Sequence, residues 1–374
     1  MAAMLPSSHA MTKHLISLAA ALALSSTIAA QEGGETPPPS PNEIVAKAGA
    51  EEWNAILAED LIVMTLAPDA KGNPREVIIQ LMPAPFSEKW TANIRTFARS
   101  GWFDNITVNR VQDNYVVQWG DAKYDNPESD GPPKALPEGL VDTSEEDYVL
   151  AYTPDMFDKL WSTRGRRDAV QRLTPTTRAA RGWTGFDDPY ANGFAFVGAM
   201  PVAMDFTDGE IIVEQVNQTT GTIVKYKDHA TGPSKVWPIH CYGMVGVGRN
   251  LSPDAGTGAE LYTVIGHAPR HLDRNIALVG RIVEGIEHLS SLPRGKGQLG
   301  FYEDEGMRTP ILSVRVANDL PENDRPEFEY LDAGGTTFAD YVKARANRRD
   351  PFFIVPAGGA DVCNVMVPVR RVAE

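Results

Sequence analysis

Apolar positions recur along the chain with two periods, and both occur between Ser87 and Asp121. Trp90, Ile94, Phe97 and Ala98 fall at helical spacing, which predicts an amphipathic helix with Ser87 as its N-cap and Gly101 as its stop. Ile106–Val111 and Tyr115–Trp119 are short β-rich runs, with Asp113 and Asn114 as the turn between them. Upstream, Asp60–Ala67 and Arg75–Met82 read as a hairpin around a loop holding Pro68, Asp69, Gly72 and Asn73. Pro83 and Pro85 end the second of these strands. Arg110 is a charge set between Val108 and Val111, so it has to face water, a partner or a site.

After Asp121 the pattern breaks. Residues 122–142 are rich in Pro, Gly and acid, and helical signals follow, with Phe157, Leu160 and Trp161 on one side. Arg164, Arg166, Arg167, Arg172, Arg178 and Arg181 form a local reversal of charge, read first as a solvated face. The runs Gly209–Val216 and Gly221–Tyr226 read as a second hairpin. In the tail, Thr336–Arg348 reads as a helix, and Phe352–Val355 and Val362–Val369 read as strands.

Composition narrows the class. A chain of 374 residues with 43% hydrophobic and 22% charged positions is that of a soluble globular protein. A formal charge of −14 argues against nucleic acid as a partner. Lys13 followed by the apolar stretch Leu15–Leu24 and the small residues Ala29 and Ala30 reads as a secretory signal, which predicts a periplasmic protein. That stretch is too short to remain as a membrane span, so no transmembrane segment is expected in the mature chain. Residues 31–42 are a Pro-rich tether. Cys241 and Cys363 are expected to pack as small apolar thiols with no essential bridge, although an oxidising compartment would let them pair.

No metal and no cofactor are expected. His267 and His271 are separated by Pro269 and cannot share a helical face. Gly243, Gly246 and Gly248 have no helix after them, so they do not make a dinucleotide loop. No Gly-x-Ser-x-Gly turn is present.

Two blocks resemble the cyclophilin-type peptidyl-prolyl isomerases. In that family a helix leads to Phe-His-Arg-Val and then, after a turn, to Phe-Met-x-Gln-Gly-Gly-Asp. Here the frame reads Val108-Asn109-Arg110-Val111 and then Tyr115-Val116-Val117-Gln118-Trp119-Gly120-Asp121. Downstream, Ala259-Glu260-Leu261-Tyr262 resembles Ser-Gln-Phe-Phe, and His271-Leu272-Asp273 resembles Trp-Leu-Asp. Val279-Gly280-Arg281-Ile282-Val283-Glu284-Gly285 resembles Phe-Gly-x-Val-x-Glu-Gly, and the resemblance implies a strand over Ala259–Ile265, a helix over Gly285–Leu292 and a strand over Ile311–Val316.

The resemblance implies a mainly β fold: a closed eight-stranded barrel with two packing helices, a large α/β-containing insertion and a C-terminal extension. Residues 43–121 and 236–317 would be the two parts of the barrel, 122–235 a separable insertion and 318–374 the extension. It implies isomerisation of prolyl bonds in unfolded or extended polypeptides. Arg110 would be the catalytic arginine, and Gln118 would orient it. Tyr115, Val116, Tyr262 and Leu272 would line the proline pocket, with Glu260 and His271 at the remaining substrate-binding positions. The family's residues differ at Asn109, Glu260, His271 and Ile276, and its Met-Ala-Asn run corresponds to Val245-Gly246-Val247. Glu260 is expected to place a negative charge near Arg110, and a paired arginine is less free to act. That leaves a second reading, a proline-peptide-binding module that does not catalyse.

Overall fold

The computed structural model describes residues 37–123, 132–151, 190–191, 193–206, 210–216, 223–229 and 233–372. The signal segment, residues 31–36 of the tether and the arginine-rich stretch 164–181, with Phe157, Leu160 and Trp161 before it, lie outside the described residues.

Helix α1 (Pro41–Val45) is capped by the Ser40 hydroxyl, which accepts from the Glu43 N–H, and strand β1 (Trp53–Ala55) follows. Strands β2 (Leu61–Leu66) and β3 (Arg75–Leu81) pair antiparallel, with Leu66 opposite Arg75. Helix α2 (Glu88–Arg99) leads to β4 (Thr107–Val111) and β5 (Val116–Gly120). The intervening segment supplies β6 (Leu150–Ala151), β7 (Gly193–Val197), β8 (Met200–Phe206), β9 (Glu210–Val216), β10 (Ile223–His229) and β11 (Pro233–Pro238). Then come β12 (Met244–Val247), β13 (Leu261–Val264), β14 (Leu278–Glu284) and β15 (Thr309–Val316). The tail adds β16 (Phe328–Leu331), a helix over Thr336–Ala346 and β17 (Val369–Arg371). Eight strands close an antiparallel barrel in the order β12-β13-β5-β4-β15-β2-β3-β14, the closed eight-stranded barrel that the resemblance implies.

Side chains on β2 and β3 alternate between two cores, so neither face is wet. Ile62, Met64, Val77 and Ile79 belong to the barrel interior, which also takes the Trp90, Ile94 and Phe97 face of α2. Leu61, Val63 and Ile78 point the other way, into a second core. Successive side chains of a strand lie on opposite faces, so the near-continuous apolar run Leu61–Met64 requires cover on both. The outer cover comes from the insertion, through Phe194, Phe196, Met200 and Val202, from Trp237 just after it, and from the extension, through Phe328, Tyr330 and Phe338. The rings of Phe196 and Phe338 meet edge to face with centroids 5.3 Å apart. The insertion therefore does not pack as the separable unit expected, because it shares one core with the barrel and the tail.

Other expectations also give way to tertiary partners. Ser87 lies in the left-handed region at φ 51° and does not cap α2; its hydroxyl donates to the Leu278 carbonyl at 2.7 Å, tying the helix start to β14. The second packing helix is a single turn, Glu287–Ser290. Phe352–Val355 forms no strand, and Phe352 and Ile354 are 84% and 96% exposed. Pro351 and Pro356 flank it without N–H donors, which disfavours ladder pairing. The second tail run yields a short 3-10 turn at Val362–Asn364 and a strand only from Val369. The hairpin of β9 and β10 forms as expected, with Val216 opposite Ile223. Cys241 and Cys363 are bonded to each other, against the expectation of free thiols. The barrel and the tail both fold against the core that holds Cys241, which brings together two cysteines 122 positions apart.

Candidate functional site

A groove of about 530 Å³ opens on the outside of the barrel, over β5 and β13. Arg110, Tyr115, Val116, Gln118, Tyr262 and Leu272 all line it, so six of the expected site residues come together.

A slip in strand register places the arginine. Arg110 pairs with Gln118, but the β4–β5 register shifts between Val108 and Arg110. Asn109 takes up the irregularity: it is buried, and its side-chain N–H donates to the Gly120 carbonyl at 3.2 Å. Such a bulge re-aims the neighbouring side chain. The guanidinium is then fixed from several sides. Its Nε donates to the Leu299 carbonyl at 2.7 Å and its Nη1 to Gln118 Oε1 at 3.1 Å. Its Nη2 donates to Gln112 Oε1. The rings of Tyr115 and Phe301 flank it, with centroids 5.7 and 5.6 Å away. Burial pulls the guanidinium below its ordinary pKa, partly offset by Tyr115 and Tyr262. It stays charged, since arginine starts so high.

Gln118 stands between Arg110 and Glu260. Its Oε1 accepts from Arg110, and its Nε2 lies 3.4 Å from Glu260 Oε2. Glu260 is buried behind the groove and does not line it. A Cβ on Gly120 would fall 2.0 Å from Glu260 Oε1, and one on Gly248 would fall 2.8 Å from Glu260 Cβ, so these two glycines make the room the carboxylate occupies. The amide of Gln118 thus bridges Arg110 and Glu260.

Tyr262 forms the inner wall with Val116 and Val264. Its ring passes under β12 at Gly246, its register partner. A Cβ there would lie 2.4 Å from the Tyr262 hydroxyl. The hydroxyl lies 2.8 Å from His240 Nε2, and His240 Nδ1 lies 2.9 Å from Asp273 Oδ1. Burial lowers the His240 pKa while Asp273 raises it. Burial also holds the Tyr262 hydroxyl well above its ordinary value, so it is protonated.

His271 is not part of the groove. It is exposed on the 3-10 turn Arg270–Leu272, and its neighbour Leu272 faces the groove instead. Sequence reasoning missed Gln298, Leu299 and Phe301, which close the groove from the loop before β15, and also Lys123 and Arg249. The available signal was an aromatic pair, Phe301-Tyr302, beside Gly297 and Gly300, in a stretch with no period to place it. Among the described residues no group of three or more His, Cys, Asp or Glu side chains is placed to hold a metal ion. Among the same residues no helix is long and apolar enough to cross a membrane.

The arrangement suits a reaction without a nucleophile. A fixed cation with spare N–H donors sits beside an apolar wall of ring and branched side chains. It can hold a small apolar ring and donate to an atom whose basicity appears only during the reaction.

Comparison with known proteins follows the same line. The family model described as cyclophilin type peptidyl-prolyl cis-trans isomerase/CLD matches residues 76–316, more than half of the chain. Two proteins named probable peptidyl-prolyl cis-trans isomerase, from Brucella suis and Brucella melitensis, are each 27% identical over 138 residues. Those matches cover 36% of this chain and 65% of each relative, so the chain spans just under two thirds of the curated relatives' length. Among solved structures, cyclophilin AquaCyp293 from Hirschia baltica is similar with a TM-score of 0.56 and 18% identity. That likeness covers 89% of this chain and 98% of the other, and it is a likeness of fold.

Proposed function

This chain belongs to the cyclophilin-type peptidyl-prolyl cis-trans isomerase family, and from that premise we propose that it isomerises prolyl bonds in extended segments of exported polypeptides. The observation that carries the reading is the setting of Arg110. A guanidinium has five N–H donors. Leu299, Gln118 and Gln112 each take one, which leaves two on the Nη atoms for a substrate.

The prolyl C–N bond resists rotation because resonance makes it partly double, with a barrier of about 20 kcal/mol. When the amide twists, the lone pair returns to nitrogen. A donor held beside that nitrogen binds the twisted state more strongly than the planar one, and this difference is the catalysis. Arg110 is the donor, because its planar fork is already oriented by Gln118 and by the two flanking rings. Val116, Tyr262 and Leu272 supply the apolar wall for the pyrrolidine ring. The periplasm is the proposed compartment: Lys13 and the short apolar stretch after it support export, and the Cys241–Cys363 bridge suits an oxidising environment.

The test compares wild type and Arg110→Ala in a protease-coupled isomerisation assay on a proline tetrapeptide, with peptide affinity measured alongside. Removing one such donor is expected to lower kcat/KM roughly a hundredfold, worth about 3 kcal/mol. Peptide affinity should fall far less, because the contact is made mainly in the twisted state. A wild type that binds the peptide without turning it over would favour the non-catalytic binding module. An active wild type whose rate survives Arg110→Ala would remove Arg110 from the mechanism.

A further inference from the structure

Behind the groove, buried polar side chains form a row that no step above requires. Arg270 Nε donates to Asp273 Oδ2 at 2.6 Å. Asp273 Oδ1 accepts from the backbone N–H of His240 at 2.9 Å and lies 2.9 Å from its Nδ1. His240 Nε2 lies 2.8 Å from the Tyr262 hydroxyl. His240 has no exposed surface, and Arg270, Asp273 and Tyr262 are also buried.

The chemistry fixes the direction of the row. An ionised carboxylate only accepts, so Nδ1 of His240 carries the proton and donates to Asp273. In the neutral ring Nε2 is then the acceptor, and the Tyr262 hydroxyl must donate to it. Burial, which disfavours the charged imidazolium, supports the neutral form.

The ends of the row lie at two walls of the groove. Tyr262 is one wall, carried by β13. Asp273 follows Leu272, the other wall, which sits on the turn Arg270–Leu272 between β13 and β14. Nothing in the barrel ladder joins that turn to β13, because β13 pairs with β12 and β5. His240 joins them through the row. Its own backbone is held next to Cys241, which is bonded to Cys363. Gly246 leaves the slot through which the tyrosine reaches it. Burying a carboxylate, a guanidinium and an imidazole is costly for a barrel that needs only an apolar ring at this point.

We propose that His240 is a positioning residue for the groove, tying the wall made by Tyr262 to the wall made by Leu272 and so fixing the width offered to the prolyl ring. This rests on reading the groove as the prolyl site. A wall fixed in this way touches planar and twisted substrate alike, so it governs KM and leaves kcat to Arg110.

The test is a double-mutant cycle of wild type, Tyr262→Phe, His240→Leu and the double variant. For each, kcat and KM are measured on one proline tetrapeptide, together with the Kd of the same peptide by calorimetry and the Tm. Tyr262→Phe and His240→Leu should each raise KM and Kd about fivefold, the worth of one net hydrogen bond, with kcat within about twofold. The double variant should be no worse than either single variant, because both cut the same link. Additive losses would overturn the proposal, as would a stable Tyr262→Phe protein with unchanged KM and Kd. A merely structural row would lower Tm and leave both constants alone. Where His240→Leu does not fold, Tyr262→Phe decides by the same criterion. If wild type binds without turnover, the isomerase reading fails while the Kd cycle still decides the role of His240. If wild type neither binds nor turns over the peptide, both fall.

Discussion

Breaking the Cys241–Cys363 bridge is expected to lower the stability of the whole unit. The two Cα atoms lie 5.0 Å apart although 122 positions separate them. Cross-linking restricts the unfolded chain, and for a loop of that length the entropy withheld from it amounts to about 5 kcal/mol at 25 °C. The compact unit runs from Pro38 to Glu374. Near 60 °C a unit of that size has an unfolding entropy of about 0.7 kcal/mol/K, which converts the lost stability to a Tm about 7 °C lower. Val362, Val365 and Val367 stay buried in the core around Cys241, so the reduced protein should keep its fold and lose only the margin. The assay is calorimetric melting with and without a thiol reductant, with the Cys241→Ala/Cys363→Ala variant as the control that should not respond. Mass spectrometry establishes that the bond was reduced. A wild type confirmed as reduced, melting within about 1 °C of the oxidised form, would show that the loop-entropy reasoning does not apply here.

Arg281 gives an opposite case. It is buried on β14, where it donates to Gln80 Oε1 at 3.0 Å and to the Val367 carbonyl at 3.1 Å, while Nη2 has no partner among the described residues. Burial pulls its pKa down to about 9, so at pH 7 it is charged in both folded and unfolded chains and its desolvation cost is present in full. Arg281→Met should leave stability unchanged or raise it by about 1–3 kcal/mol in urea melts, and a loss above about 2 kcal/mol would count against the reasoning. The pH dependence follows from His240, whose folded pKa burial lowers below its unfolded value. The unfolded chain then binds more protons below about pH 6.5, so stability should fall as pH drops from there, by up to about 1.4 kcal/mol per unit. Urea midpoints at pH 7, 6 and 5 should show that slope in wild type and lose it in His240→Leu. A flat profile in wild type would contradict the assignment.

The barrel was legible because its strands carry their own signal. Ile62, Met64, Val77 and Ile79 are apolar whatever covers them, and α2 buries the Trp90, Ile94 and Phe97 stripe that its spacing marks. Arg110 was legible as a charge in an apolar run, and Gln118 follows from the same frame. What failed depended on distant partners. Ser87 looks like a cap until its hydroxyl finds Leu278, far away in sequence. Phe352–Val355 looks like a strand by composition but forms none, with Pro351 and Pro356 on either side. Leu299 and Phe301 belong to a loop without period, and only closure of the barrel brings them to Arg110. His240 carries no local sign of its role, because its partners Tyr262 and Asp273 meet it only in the folded chain.

The insertion and the tail acquire a purpose from the same geometry. A barrel whose outer face was wet would show alternation on β2 and β3, polar where Leu61, Val63 and Ile78 stand. The apolar outer face instead commits the chain to a second layer, built from β7, β8, β11 and the helix Thr336–Ala346. His240 lies two residues beyond the end of β11, where that layer hands the chain back to the barrel at β12. Cys363, from the tail, is bonded to the next residue. The segment that carries His240 is thus held by the outer sheet on one side and by the tail on the other, while its ring reaches through to Tyr262. A barrel without the outer layer would lack both supports. If His240 positions the groove as proposed, substitutions at Trp237 or Phe338, which pack in the outer core, are expected to reach the groove through it and to raise the peptide Kd.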